Sequence, residues 1–224
     1  MHDYQINLHD GQRQQDQQTH ALSFVATAHV NQPPAIDGDL SEWSSLPTPT
    51  ASQPVVAWRW DESNLYLAVK AADAIHIQDQ RPETLWRQDN IQVGISCFES
   101  NDWVRKPIGE MRESSYTELS IGAHATGPAL AYCHATMNRQ TCPMGQVRAD
   151  QMPAAVQIAD GITSYEIAIP TNLLGLKPLK LGTLVKASVL LNTNDGGRRG
   201  YIEWFSGIAQ TKTPQHYAHL ILTP

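Results

Sequence analysis

The chain has 224 residues, a formal net charge of −6, 41% hydrophobic residues and only 17% charged ones. Its densest basic run is the pair Arg198-Arg199, which excludes the clustered Lys and Arg that a phosphate backbone demands. No apolar stretch approaches the ~20 residues of a membrane span, and the N-terminus lacks the apolar core of a signal peptide. An exported chain of this kind would carry its signal upstream.

Residues 1–20 are rich in Gln, Asp and His with almost no apolar periodicity, and are expected to form a tail or linker. From residue 21 to 224 short strand-like runs dominate, with no Pro/Gly-rich break that would divide a second domain. The runs cover residues 22–30, 55–60, 65–72, 90–98, 116–123, 129–134, 155–159, 164–169, 184–193, 201–205 and 217–222. Turn-forming sequences separate them, among them Asp37-Gly38, Asp61 to Asn64, Asp160-Gly161 and Asp195-Gly196-Gly197. Leu65, Leu67 and Val69 alternate with Tyr66, Ala68 and Lys70. Ile91, Val93, Ile95 and Cys97 alternate with Asn90, Gln92 and Ser96, and Tyr165, Ile167 and Ile169 with Ser164, Glu166 and Ala168. Such strands bury one face against a second sheet and leave the other wet. One helical turn is expected over 170–174, opened by Pro170 and stopped by Gly175. About eleven strands with minimal helix imply an all-β, two-sheet antiparallel sandwich.

Cys133 and Cys142 bracket a Pro-, Gly- and Asn-containing stretch, so a small disulfide loop is plausible between them, while Cys97 sits in an apolar alternation and reads as a buried thiol. The low charged fraction fits an extracellular or periplasmic setting.

Three stretches carry a family resemblance. They are Ile36-Asp37-Gly38-Asp39-Leu40-Ser41-Glu42-Trp43; Trp60 to Val69 followed by Trp86-Arg87-Gln88-Asp89-Asn90-Ile91-Gln92-Val93; and Tyr165 to Gly175 with Asn192 to Gly197 and Glu203-Trp204. In this order and spacing they resemble carbohydrate-binding module family 9 and its relatives in the DOMON-like superfamily, over residues 30–223. The resemblance implies a jelly-roll-like sandwich, often appended to xylanases and other polysaccharide-active proteins. It also implies bound calcium and a sugar cleft lined by aromatic residues. Where relatives often carry an acid, this chain has Gln92.

A sugar ring needs a flat aromatic platform for its C–H face and planar hydrogen-bonding groups for its hydroxyls. Trp86 lies in a polar stretch outside any alternation and is the first platform candidate, with a cap on the sandwich end as its other reading. Asn90 and Gln92 share the wet face of the following strand. Asn192 and Asn194 precede a glycine turn that serves either a ligand or a plain hairpin, with Arg198 or Arg199 in reach. Trp204 is a second platform or part of the core. Trp58 and Trp60 share a strand face with Val56, which favours core for both. The acidic turns make Asp37, Asp39, Asp61, Glu62 and Asp73 the expected contributors to a structural calcium site, or else ordinary turn residues.

The expected function is a non-catalytic carbohydrate-binding module of a larger polysaccharide-active protein. A DOMON-like haem or redox domain, drawing on Met111, Met137, Met144 or Met152, is the alternative, as is a structural spacer. Glycosidic hydrolysis needs two facing carboxyls, and Glu118, Glu166 and Glu203 all lie in strand runs, but nothing marks a pair of them.

Overall fold

The computed structural model describes residues 2–9, 15–43, 46–97, 116–209 and 212–224. Within residues 1–20, read from sequence mainly as a tail, and just beyond them, β1 (His2–His9) and β2 (Gln15–Leu22) pair antiparallel in a two-stranded sheet of their own. All the other strands belong to one large sheet.

That sheet contains β3 (Phe24–His29), β4 (Val55–Trp60), β5 (Asn64–Ala72), β6 (Asn90–Ser96) and β7 (Thr117–Ala123). It continues with β8 (Ala129–Ala135), β9 (Gly145–Val147), β10 (Ala154–Ala159) and β11 (Ile162–Pro170). β12 (Leu184–Asp195), β13 (Arg198–Glu203) and β14 (Ala218–Thr223) complete it. The strand order is β10-β11-β5-β4-β3-β14-β12-β6-β7-β8-β9, with β13 paired to β12. The sheet doubles over, so that β10 comes against β7 and β8. The result is a sandwich whose two layers are joined through β14, which pairs β3 on one side and β12 on the other. Pairing is antiparallel except for β14–β3 and β3–β4, which run parallel. The all-β, minimally helical architecture expected from the alternation is therefore present, with parallel pairs where the layers join.

The expected inner faces meet as one core. Leu65, Leu67 and Val69 of β5 and Tyr165, Ile167 and Ile169 of β11 face Ile91, Val93 and Ile95 of β6 and Leu119 and Ile121 of β7. Trp58 and Trp60 are buried with them, and Cys97 packs against the cluster. Full burial of each large aliphatic side chain contributes about 1.5–3 kcal/mol, so this cluster dominates the stability of the sandwich.

The outer face of the β4-β5-β11 layer is not wet. Trp43, at the end of a 3-10 turn (Leu40–Trp43), packs on Tyr66, Ala68 and Ala168 with Ile36 and Leu40 around it. Glu166 is fully buried beneath it. Its Oε1 accepts the Trp43 Nε1–H at 2.6 Å, and its Oε2 accepts the backbone N–H groups of Asp37 and Gly38. Over 170–174 the chain makes a single hydrogen-bonded turn and no longer helix: β11 extends through Pro170, Leu174 N–H donates to Pro170 O at 3.4 Å, and Thr171 N–H donates to Ser63 O.

Candidate functional site

The outer face of the β6-β7-β8 and β12-β13 layer carries a different chemistry. Its alternate positions hold Asn90, Gln92, Glu118, Ser120, His134 and Asn192, where an uncovered sheet face has the usual mixture of solvated side chains. Two segments wall this face in. One is the 3-10 turn Pro82–Arg87, the other the connection from β13 to β14.

The first wall is fixed by Leu85, which is fully buried, and by two backbone-directed side chains. Asp89 Oδ2 accepts the Ile77 N–H at 2.5 Å, and Gln78 Nε2 donates to Leu85 O and Asp89 O. With its neighbour locked inward, Trp86 is carried over the sheet edge. The second wall is seated by a small cluster of Leu190, Ile208 and Tyr217. Gly94 of β6 permits that seat, because a Cβ there would overlap the Tyr217 phenol. Ile208 and Ala209 N–H groups donate to Glu203 Oε1, which holds the turn after β13.

Between the walls lies a cleft of ≈ 440 Å³. Trp86 and Tyr201 line it as aromatic walls, and Gln92, Glu118 and Asn192 form a polar floor, with His134, Arg199 and Lys212 at its sides. The floor is one hydrogen-bonded network. Asn192 Nδ2 donates to Asn90 Oδ1 at 2.9 Å and to Gln92 Oε1 at 3.1 Å, and Gln92 Nε2 donates to Glu118 Oε1 at 2.8 Å. Lys212 Nζ reaches the same Glu118 oxygen at 2.5 Å. His134 Nε2 lies 2.8 Å from Ser120 Oγ, and burial pushes the His134 pKa down, which favours the neutral ring. The Arg199 guanidinium stands 4.7 Å from the Trp86 ring centre and that of Arg87 5.2 Å from it.

The structure gathers Trp86, Gln92 and Asn192 in the cleft. Asn90 lies fully buried behind the floor as a support for Asn192. Asn194 is buried too, and its N–H donates to Asp89 Oδ1. Arg198 is exposed on β13 and, by strand alternation, faces away from Arg199, which lines the cleft. Trp204 packs against the main core with Ile202 and meets Phe205 edge-on, so the core alternative describes it. The aromatic ring that β13 gives the cleft is Tyr201, directly opposite Asn192 in register. Of the two arginines expected within reach, it is Arg199 that lines the cleft; Tyr201 was missed, although the period of two along 199–201–203 marks it once Trp204 is assigned inward. Glu118, His134 and Lys212 were missed as well, because only the folded sheet brings them beside Gln92.

The five expected calcium contributors do not converge. Asp37 Oδ1 accepts the Asp39 N–H, Asp39 Oδ1 accepts the Ser41 N–H, and Asp61 accepts the N–H groups of Ser63 and Asn64 and the Tyr66 hydroxyl. Glu62 pairs with His29. Asp73 alone joins a group with metal-ligand potential, with His76 and Asp89. Its Oδ2 already takes hydrogen bonds from Thr163 and His76, and both Asp89 oxygens accept backbone N–H groups. An imidazole and committed carboxylates are a poor match to the all-oxygen cage that calcium takes. For the haem alternative, Met152 is buried in the core, Met137 packs against it and Met144 is exposed, so none of these lines the cleft; Met111 lies outside the described residues.

No family model matches the sequence, and no curated protein matches it. Among solved structures, a carbohydrate-binding module family 9 from Caldicellulosiruptor kristjanssonii in complex with glucose superposes with a TM-score of 0.60 at 13% identity, over 89% of this chain and 95% of that one. The cellotriose complex of a family 9 module from the same organism gives 0.61 at 14% identity, over 89% and 93%. A protein from Bacteroides uniformis gives 0.55 at 10% identity, over 91% of this chain and 100% of that one.

Proposed function

The chain has the fold of the family 9 carbohydrate-binding modules, and we propose that it is itself a non-catalytic sugar-binding module, acting outside the cell as part of a larger polysaccharide-active protein. The observation that carries this reading is the cleft: aromatic rings of Trp86 and Tyr201 beside a fixed floor of amide and carboxylate groups. Apolar ring faces and planar hydrogen-bonding groups are the two things a pyranose asks of a protein. The glucose and cellotriose held by the similar modules support the same ligand class.

The carboxylates support binding without hydrolysis. Among the described residues Glu118 is the one acid that lines the cleft, and it is paired with Lys212. Glu166 is buried in the opposite layer beneath Trp43, and Glu203 is occupied by backbone N–H groups. The facing pair of carboxyls that glycosidic hydrolysis uses is therefore not assembled there. No helix among the described residues is long and apolar enough to cross a membrane.

Titration with cellotriose, followed by tryptophan fluorescence and calorimetry, tests the reading. Saturable binding is expected, with Trp86→Ala and Tyr201→Ala each weakening it about ten-fold or more, the ~1–3 kcal/mol typical of a lost stacking ring. A blank result across soluble glycans and insoluble polysaccharides alike would remove it.

A further inference from the structure

The charges around the cleft point to the kind of sugar it takes, and this step rests on the cleft being the sugar site. The chain as a whole carries −6, yet the cleft is lined by one carboxylate and two permanent cations, Glu118 against Lys212 and Arg199. Glu118 and Lys212 neutralise each other at 2.5 Å. That leaves Arg199. Among the described residues it makes no ion pair, and its one recorded partner is the Trp86 ring. Arg87 stands over the same ring, and among the described residues it too makes no ion pair. Asp195 is the nearest acid by strand register, but it is opposite Arg198, which alternation turns the other way. The one carboxylate of the polar floor is Glu118, which Lys212 already takes, and the remaining floor groups, Gln92 and Asn192, are neutral amides.

Two guanidinium groups thus lie over the ring of one aromatic wall, Arg199 from within the cleft lining, and among the described residues neither makes an ion pair. A guanidinium stacked on an indole keeps its edge free and oriented, and that edge fits a carboxylate with two parallel hydrogen bonds. In a concave, partly desolvated site the unbalanced charge is screened far less than on open surface. We infer that the cleft selects an acidic sugar, a uronic acid within an oligo- or polysaccharide, whose carboxylate is received by Arg199 while the ring lies against the aromatic walls.

Cellobiose and cellobiouronic acid differ only in one carboxylate and make the matched pair for the test, with a cellobiose sulfate ester as the third ligand. Calorimetry at low ionic strength is expected to show cellobiouronic acid binding about ten-fold or more tightly than cellobiose, the scale of one charge-assisted bidentate contact. About 0.5 M NaCl is expected to shrink that ratio. Arg199→Gln is expected to collapse it, and Arg199→Lys to restore only part, because the charge returns without the fork; unchanged melting temperatures would show that both variants fold. Equal or tighter binding of cellobiose overturns the inference and leaves the sugar-binding reading standing. Binding of none of the three overturns the inference, and the broader screen of soluble glycans and insoluble polysaccharides then decides the sugar-binding reading. Tighter binding of the sulfate ester assigns the arginines to sulfated sugars and overturns the carboxylate assignment.

Discussion

Lys212 Nζ lies 2.5 Å from Glu118 Oε1, and the two side chains meet from opposite environments: Glu118 is 3% exposed and Lys212 42%. The lysine pays for its reach in backbone conformation, because its φ is 48°, in the left-handed region that favours glycine. Lys212→Ala removes the partner of a buried carboxylate and keeps the strain. Lys212→Gly removes the partner and relieves the strain. Chemical denaturation is expected to find both variants less stable than the parent, with the glycine variant ahead of the alanine variant by about 1 kcal/mol. Equal stability would mean that the positive φ carries no cost.

Glu166 anchors the loop that carries Trp43, and it does so as a pure acceptor of three N–H groups. Glu166→Gln turns one accepting oxygen into an amide donor that faces other donors. A loss of roughly 1–3 kcal/mol is expected, and more for Glu166→Ala. Because this cluster lies on the other layer, sugar affinity is expected to stay at the parent value. A fall in affinity with no fall in stability would contradict the placement.

Asp73, His76 and Asp89 predict a pH dependence. Burial raises the Asp89 carboxyl to about 6. Burial works against a charged His76, but its hydrogen bonds to Asp73 and Ala123 O outweigh that, so its pKa lies above the ordinary value. Asp73 lies below its own, where bonds from His76 and Thr163 overcome burial. The folded state thus keeps a proton on His76 to higher pH than the unfolded chain does. That stability is fully present below the unfolded histidine pKa and is lost as pH rises through the folded one. Asp89 acts in the same direction at lower pH, and the Asp73 contribution fails only in stronger acid. His134 and His219, whose pKa values burial lowers, act oppositely, so the comparison must be with His76→Gln. The stability gap between parent and variant is expected to be wider at about pH 5.5 than at about pH 8.5. A gap that is flat or wider in base would show that the imidazolium is not held.

The cysteines are free thiols, but Cys133 and Cys142 are both buried and hydrogen-bonded to one another. That bond draws the Cys142 pKa below its usual value and pushes that of Cys133 up, so Cys142 is the more acidic thiol of the two. Burial pushes Cys97 up to about 12, so it stays protonated. Peptide mapping after exposure to oxidised glutathione is expected to recover Cys133 joined to Cys142 and Cys97 alone. Closing a loop of about ten residues is worth about 2–3 kcal/mol. Three free thiols after oxidation would refute the pairing.

The alternation at 65–69, 91–95 and 165–169 made the core legible, because a period of two is decided by local residue order. It failed on the outer faces for a reason that is not local. Tyr66, Ala68 and Glu166 sit on positions that read as wet, and they are buried because the Trp43 loop crosses from elsewhere in the chain. In the cleft, Trp86, Gln92 and Asn192 were legible as polar-stretch or wet-face residues. Arg199 was legible only as one of two arginines beside the glycine turn, and Tyr201, Glu118 and Lys212 were not legible as cleft residues, since their partners lie on other strands and no spacing along one strand announces them. Trp204 shows the limit from the other side: a tryptophan beside a turn looks like a platform until the register of β13 turns it inward.

β14 also governs the order in which this molecule can be completed. Until residues 218–223 are present, β3 has no neighbour on one side and β12 lacks its link to the first layer, so the sheet stands as two unconnected halves. A chain emerging from the ribosome must hold two apolar faces together without their hydrogen-bonded seam until the last strand of this sheet arrives to be inserted between the earliest strand of that sheet and a late one.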